Sequence, residues 1–179
     1  MARRGIGRTF QTPNLFYELS LLGNLILSAE TGWLGGALGR GLFKKPPSCV
    51  DSAARQILVR LGLEEYANAA PDEMPVGLAK LGEIARTLAR RPRLLLLDEP
   101  AVGLNDAERL RLGELLRKLA GEGLAILIVD HNVSFITALC ERITVLASGR
   151  VISSGSPTEI RTDPKVVQAY LGDDPVAAP

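Results

Sequence analysis

Asp98 and Glu99 stand side by side where the apolar run "RLLLLD" ends, and His131 directly follows a second such run, "LAILIVD". Two adjacent acids at the carboxyl end of a buried strand lie where open α/β sheets place their ligands. One carboxylate there can hold a hard cation such as magnesium, directly or through water. The other can accept a proton from an attacking water. His131 is the single histidine of the chain. At the tip of the neighbouring strand a neutral imidazole can touch a terminal phosphate oxygen and the same water. The bland alternatives are an acid pair that merely caps a solvated strand end, and a histidine that only fills surface. The functional reading of Asp98, Glu99 and His131 is a magnesium nucleotide site.

The surrounding pattern has to position these three groups. "RLLLLD" reads as a strand buried on both faces, as in a parallel sheet. "NDAERLRLGELLRKLAGEG" reads as an amphipathic helix, with Asn105 and Glu108 as a capping box and Gly121 as its stop. "LAILIVD" is the next apolar strand, so strand, helix and strand make a βαβ crossover. The expected fold class is therefore α/β with a mainly parallel sheet. "NVSFITALCERI" then reads as a helix, and "ITVLAS" and "RVISSGS" as strands joined at a turn. "SPTEI" opens a short helix capped by Ser156, with Pro157 at its first position and Glu159 three residues after the cap.

Upstream, residues 1–30 carry few regular signals until Leu19, Leu22, Leu25 and Ile26 recur at helical spacing. "TGWLGGALGRGLFKKPPS" is glycine-rich and ends in two prolines, and reads as a mobile loop. Helices are expected over "DSAARQILVRLGLEEYAN" and over "LAKLGEIARTLARR". The tail "DDPVAAP" is expected to be disordered.

Composition removes several classes. A net charge of +1 and an aromatic fraction of 4% supply neither a basic field nor a stacking surface for nucleic acid. Two cysteines, Cys49 and Cys140, and one histidine make no metal-binding cluster. The start "MARRGIGRTFQ" lacks the apolar core of a signal peptide, and no run approaches the roughly 20 residues that span a bilayer.

Taken together in this order, the motifs resemble the second half of an ABC-transporter ATPase domain. "LLLLDEP" resembles the Walker B motif with its catalytic glutamate, "VGLND" the D-loop, "VDH" the switch-histidine loop, and "GIGRTFQTPNLFYELSLLGNL" the Q-loop region. "RTFQTPNLF" and the ending "GSPTEIRTDPKVVQAYLGDD" resemble branched-chain amino acid importers. The resemblance implies a P-loop NTPase-like fold with an α-helical subdomain. It implies a Q-loop segment at 1–16, a helical subdomain and signature helix at 17–89, an ATPase core at 90–172 and a tail at 173–179. It implies Glu99 and His131 as catalytic residues, Asp98 and Gln11 at the metal, and Gln11, Pro75, Gly77 and Asn105 at the nucleotide. ATP and Mg2+ follow as ligands. A second ATPase subunit and transmembrane permease subunits follow as partners, at the cytoplasmic face of the plasma membrane.

Two departures from the family pattern stand out. Where Leu-Ser-Gly-Gly-Gln is usual, "MPVGL" occupies residues 74–78, keeping Gly77 and placing Leu78 where a glutamine is expected. The P-loop, Gly-x-x-x-x-Gly-Lys-Ser/Thr, belongs upstream of the Q-loop, yet no Gly-Lys dipeptide occurs in the 179 residues. The expectation is a fragment of an importer ATPase, inactive alone, with an unpaired apolar edge beside "LAILIV". The alternative is a non-catalytic module that lends its signature loop to a complete partner. An ATPase of the DNA-repair branch is disfavoured, because no sustained heptads flank the motifs.

Overall fold

The computed structural model describes residues 5–10, 13–33 and 48–171. The chain divides into two compact units, 1–131 and 132–179.

The first unit holds a parallel sheet of three strands, β1 (Ile6–Arg8), β2 (Leu94–Asp98) and β3 (Ala125–Val129), in that spatial order. Leu94 lies opposite Ile6 on one side and Ala125 on the other, and the β2–β3 register continues to Asp98 opposite Val129. The helix between β2 and β3, α4 (Asp106–Gly121), makes the expected crossover. Asn105 accepts the Glu108 amide hydrogen at 2.9 Å, and the Glu108 carboxylate accepts that of Asn105 at 2.9 Å, so the capping box forms as read. The helix ends at Gly121, as read. α4 runs through Gly121 to a cap at Glu122, and Gly123 takes the left-handed turn, at φ 93°.

α1 (Leu21–Trp33), α2 (Ser48–Leu61) and α3 (Val76–Leu88) form the helical layer of this unit, with single turns at Glu64–Tyr66 and Pro71–Glu73. Asn24 of α1 is fully buried and serves the loop that leads into its helix. Its amide group donates to the carbonyls of Phe16 and Ser20 at 2.9 and 3.1 Å, and its side-chain oxygen accepts the Phe16 amide hydrogen at 2.7 Å. The expected glycine-rich loop begins later than read, because residues 31–33 complete α1. The rest of that loop up to residue 47, and the tail 173–179, lie outside the described residues.

β2 is less uniformly buried than its four leucines suggest. Leu95 and Leu97 are enclosed, at 0% and 2% exposure, whereas Leu94 and Leu96 are only half-buried. β3 departs further, with Leu127 and Val129 58% and 59% exposed. Among the described residues β3 pairs only with β2, so one edge of an uncharged strand stays open. Such edges invite intermolecular pairing. The chain should therefore associate with rising concentration in sedimentation velocity, and Leu127→Lys should suppress that association. A monodisperse monomer at all concentrations would contradict it.

The second unit contains α5 (Val133–Leu139), the antiparallel pair β4 (Ile143–Ala147) and β5 (Arg150–Gly155), α6 (Pro157–Thr162) and α7 (Pro164–Val166), which passes into a wide turn at Val167–Leu171. Ser148 and Gly149 turn the hairpin with φ of 47° and 75°, the two positive values a tight two-residue hairpin needs. Ser156 and Glu159 cap α6 reciprocally, as read. Tyr170 donates its hydroxyl hydrogen to the Leu146 carbonyl at 2.6 Å, fastening the last turn to β4.

Candidate active site at the strand tips

Asp98 ends β2, and its register partner Val129 ends β3, so the residues that follow each strand emerge together. The His131 Nδ1 lies 3.4 Å from the Glu99 Oε1. Glu99 is about one-quarter exposed and His131 mostly exposed. A pair this open to water adds little to stability, roughly 0–1 kcal/mol. Its interest is chemical. A carboxylate that can take a proton and an imidazole stand together where the two neighbouring strands end.

The backbone at Glu99 is unusual. Its φ is 45°, in the left-handed region that non-glycine residues seldom adopt. Such strain persists where surrounding structure over-determines it, and clusters at functional sites. Three bonds fix the turn. The Glu99 amide hydrogen goes to the Val129 carbonyl at 2.8 Å, and the Glu99 carbonyl accepts from the Val102 amide at 3.3 Å and from the Lys80 Nζ at 3.3 Å. From the facing tip, Asp130 Oδ2 accepts the Ala101 amide hydrogen at 3.4 Å.

Asp98 faces Arg8 of β1, whose guanidinium nitrogen lies 3.5 Å from Oδ2 and whose charge also sits over the Phe10 ring, 5.1 Å from its centre. Among the described residues no three His, Cys, Asp or Glu side chains converge as a metal cage. The donor set fits magnesium that brings its own water and phosphate oxygens, for which one carboxylate suffices.

The remaining sequence-derived candidates are spread more widely. Gln11 lies outside the described residues. Pro75 is exposed and precedes the first turn of α3. Gly77 is buried against α4, where an added Cβ would meet Glu108 Oε2 at 2.6 Å and Leu104 at 3.0 Å. The close approach at Gly77 is therefore made within the chain, onto the acid that closes the α4 capping box. Asn105 spends its side-chain oxygen on that cap.

Sequence reading passed over two charged groups on α3. Lys80 and Glu83 are 8% and 2% exposed. Besides Lys80 reaching Glu99, Glu83 accepts amide hydrogens from Phe10, at 3.3 Å, and from Asn14. Both sit on what reads as the apolar face of the helix, and a charge at such a position was the available signal. Burial pushes the Glu83 carboxyl above the usual carboxylate range, although those two amides and the charges of Arg86 and Lys80 pull it down. A raised value means that the folded chain holds the proton more tightly than the unfolded one. That stabilisation is complete below the unfolded value of about 4.3 and is lost as pH rises through the folded value. Relative to Glu83→Gln, the native chain should lose melting temperature as pH rises from about 4.3 toward neutrality. A gain over that interval would contradict the assignment.

The family model described as "ABC transporter" matches residues 1–102, and that described as "Branched-chain amino acid ATP-binding cassette transporter" matches residues 150–176. The high-affinity branched-chain amino acid transport ATP-binding protein LivG of Salmonella typhimurium is 36% identical over 178 residues, covering 97% of this chain and 70% of LivG. The lipopolysaccharide export system ATP-binding protein LptB of Acidithiobacillus ferridurans is 37% identical over 174 residues, covering 96% and 67%. Among solved structures, the ADP conformation of MJ1267, an ATP-binding cassette of an ABC transporter, superposes with a TM-score of 0.78 at 27% identity, over 96% of this chain and 70% of that one. No helix among the described residues is long and apolar enough to cross a membrane.

Proposed function

The chain belongs to the ABC transporter ATP-binding cassette family, and from that premise we propose that its strand tips form the hydrolytic half of an ATP site. The observation that carries the proposal is the Glu99–His131 pair, 3.4 Å apart at the ends of neighbouring parallel strands. Glu99 accepts a proton from water as the water oxygen bonds to the terminal phosphorus and the bond to ADP breaks. His131 uses its outer nitrogen to hold that water and a terminal phosphate oxygen. Asp98 would hold the magnesium that accompanies the nucleotide, which would supply charge neutralisation at the phosphates, and the Q-loop motif assigns Gln11 to the same ion. The positions of Pro75, Gly77 and Asn105 in the motifs support a place facing the nucleotide held by a second ATPase subunit.

The phosphates need a further component. No Gly-Lys dipeptide occurs among the 179 residues, so the cradle of amides and lysine charge comes from a P-loop outside them. These residues therefore act as part of a larger ATPase and turn over no ATP by themselves. The transported solute class is read as branched-chain amino acids, supported by the family match at residues 150–176 and by the LivG relatives. Permease subunits in the membrane are the corresponding partners, with this chain on their cytoplasmic side. The test is magnesium-dependent phosphate release by these residues joined to the P-loop-bearing part of a LivG-type relative. Turnover that Glu99→Gln abolishes supports the reading, and turnover indifferent to it refutes it.

A further inference from the structure

α3 carries two buried charges three residues apart, and each leaves the helix to hold a loop at the candidate site. Burying a lysine or a glutamate is costly unless its polar atoms are satisfied. Lys80 has its Nζ 3.3 Å from the Glu99 carbonyl, which also terminates the Val102 turn. Glu83 receives the amide hydrogens of Phe10 and Asn14, the two ends of the short stretch that contains Gln11. Both act on backbone, Lys80 on the Glu99 carbonyl and Glu83 on the Phe10 and Asn14 amides, and they attract each other across the helix turn.

We infer that Lys80 and Glu83 are positioning residues: from one face of α3 they set the backbone of Glu99 and the backbone amides of Phe10 and Asn14, so that these positions are held by the same helix. The inference rests on reading Glu99 as the proton acceptor. Strand pairing alone does not hold Glu99, because its left-handed backbone departs from the extended geometry of β2. Lys80 supplies a charged donor to the carbonyl of that residue. A hydrogen bond to a charged group is about twice as strong as a neutral one, and the amides that share this turn should be the first to loosen without it.

The test is amide hydrogen exchange on the full chain, read residue by residue. Lys80→Met keeps length and removes the donor. It should raise exchange at Val102 and Glu99 by about tenfold while leaving Leu97 in the same strand unchanged. Lys80→Arg should restore the native rate to within about threefold. Glu83→Leu should do to Phe10 and Asn14 what Lys80→Met does to the Glu99 turn, and Glu83→Gln, which keeps an acceptor, should do so more weakly. If Lys80→Met does not fold, Lys80→Gln is read in its place, since the shorter neutral side chain loses the same bond. Unchanged exchange at Glu99 and Val102, or a uniform rise at every amide including Leu97, overturns the inference. Phosphate release separates it from the reading of Glu99: exchange that responds as expected beside normal turnover in Glu99→Gln refutes the base assignment and leaves the positioning geometry standing.

Discussion

Glu99→Gln should lower phosphate release by about 10²–10⁴-fold in a protein that joins these residues to a P-loop, and His131→Ala should do the same. Glutamine matches glutamate in size and can keep the contact with His131, so little structure is lost. What disappears is the capacity to take a proton from the attacking water. The unusual backbone at residue 99 is preserved in that variant, because the bonds that fix it use the main chain, to Val129, Val102 and Lys80. The fall should therefore appear in kcat and leave KM nearly unchanged. His131→Ala removes the imidazole 3.4 Å from Glu99, and with it the nitrogen proposed to hold water and phosphate. Near-normal turnover in both variants would refute the two roles together.

The second large effect is the loss of the whole reaction when these 179 residues are assayed alone. Phosphoryl transfer depends on positioning and on charge stabilisation of the phosphate oxygens. Loss of a single oriented donor to a developing oxyanion commonly costs about 10²–10³-fold. A P-loop contributes several backbone amides, a lysine and a hydroxyl, and none of the five lysines here follows a glycine. Asp98, Glu99 and His131 without that cradle should release phosphate no faster than buffer. Arg8, 3.5 Å from Asp98, does not replace it, since it already neutralises the acid that would face magnesium.

The parts of the site that were legible in the sequence share one cause. Two uncharged runs separated by a capped amphipathic helix leave a crossover as the simplest arrangement, and it forms from β2 through α4 to β3. The residues that follow those runs must then meet, and Glu99 and His131 do. β1 was not legible. Ile6–Arg8 is a strand because it pairs with β2, not because three residues carry a pattern. The extent of burial misled for a related reason. An apolar run reads as fully enclosed, but β3 has a neighbour on one side only among the described residues, and its leucine and valine lie open. α4 stops at Gly121 as read, but of the two glycines in "GEG" it is Gly123 that sits where the chain turns left-handed.

Lys80 and Glu83 escaped because a helical apolar face is read for its hydrophobic members, and a charge among them looks like noise in the period. Burial reverses that judgement, since a charged side chain under 10% exposed must have partners, and these partners are at the site. Asn105 carries two signals at once: its position in the motif points to nucleotide, and its side-chain oxygen caps α4.

Magnesium-dependent phosphate release, measured side by side on the 179-residue chain and on the same residues joined to a P-loop-bearing segment, tests the central claim most directly. The account predicts no release from the chain alone, and steady turnover from the joined protein that Glu99→Gln removes. Release from the chain alone that Glu99→Gln abolishes would contradict the need for an outside P-loop, and turnover of the joined protein indifferent to Glu99→Gln would contradict the site itself.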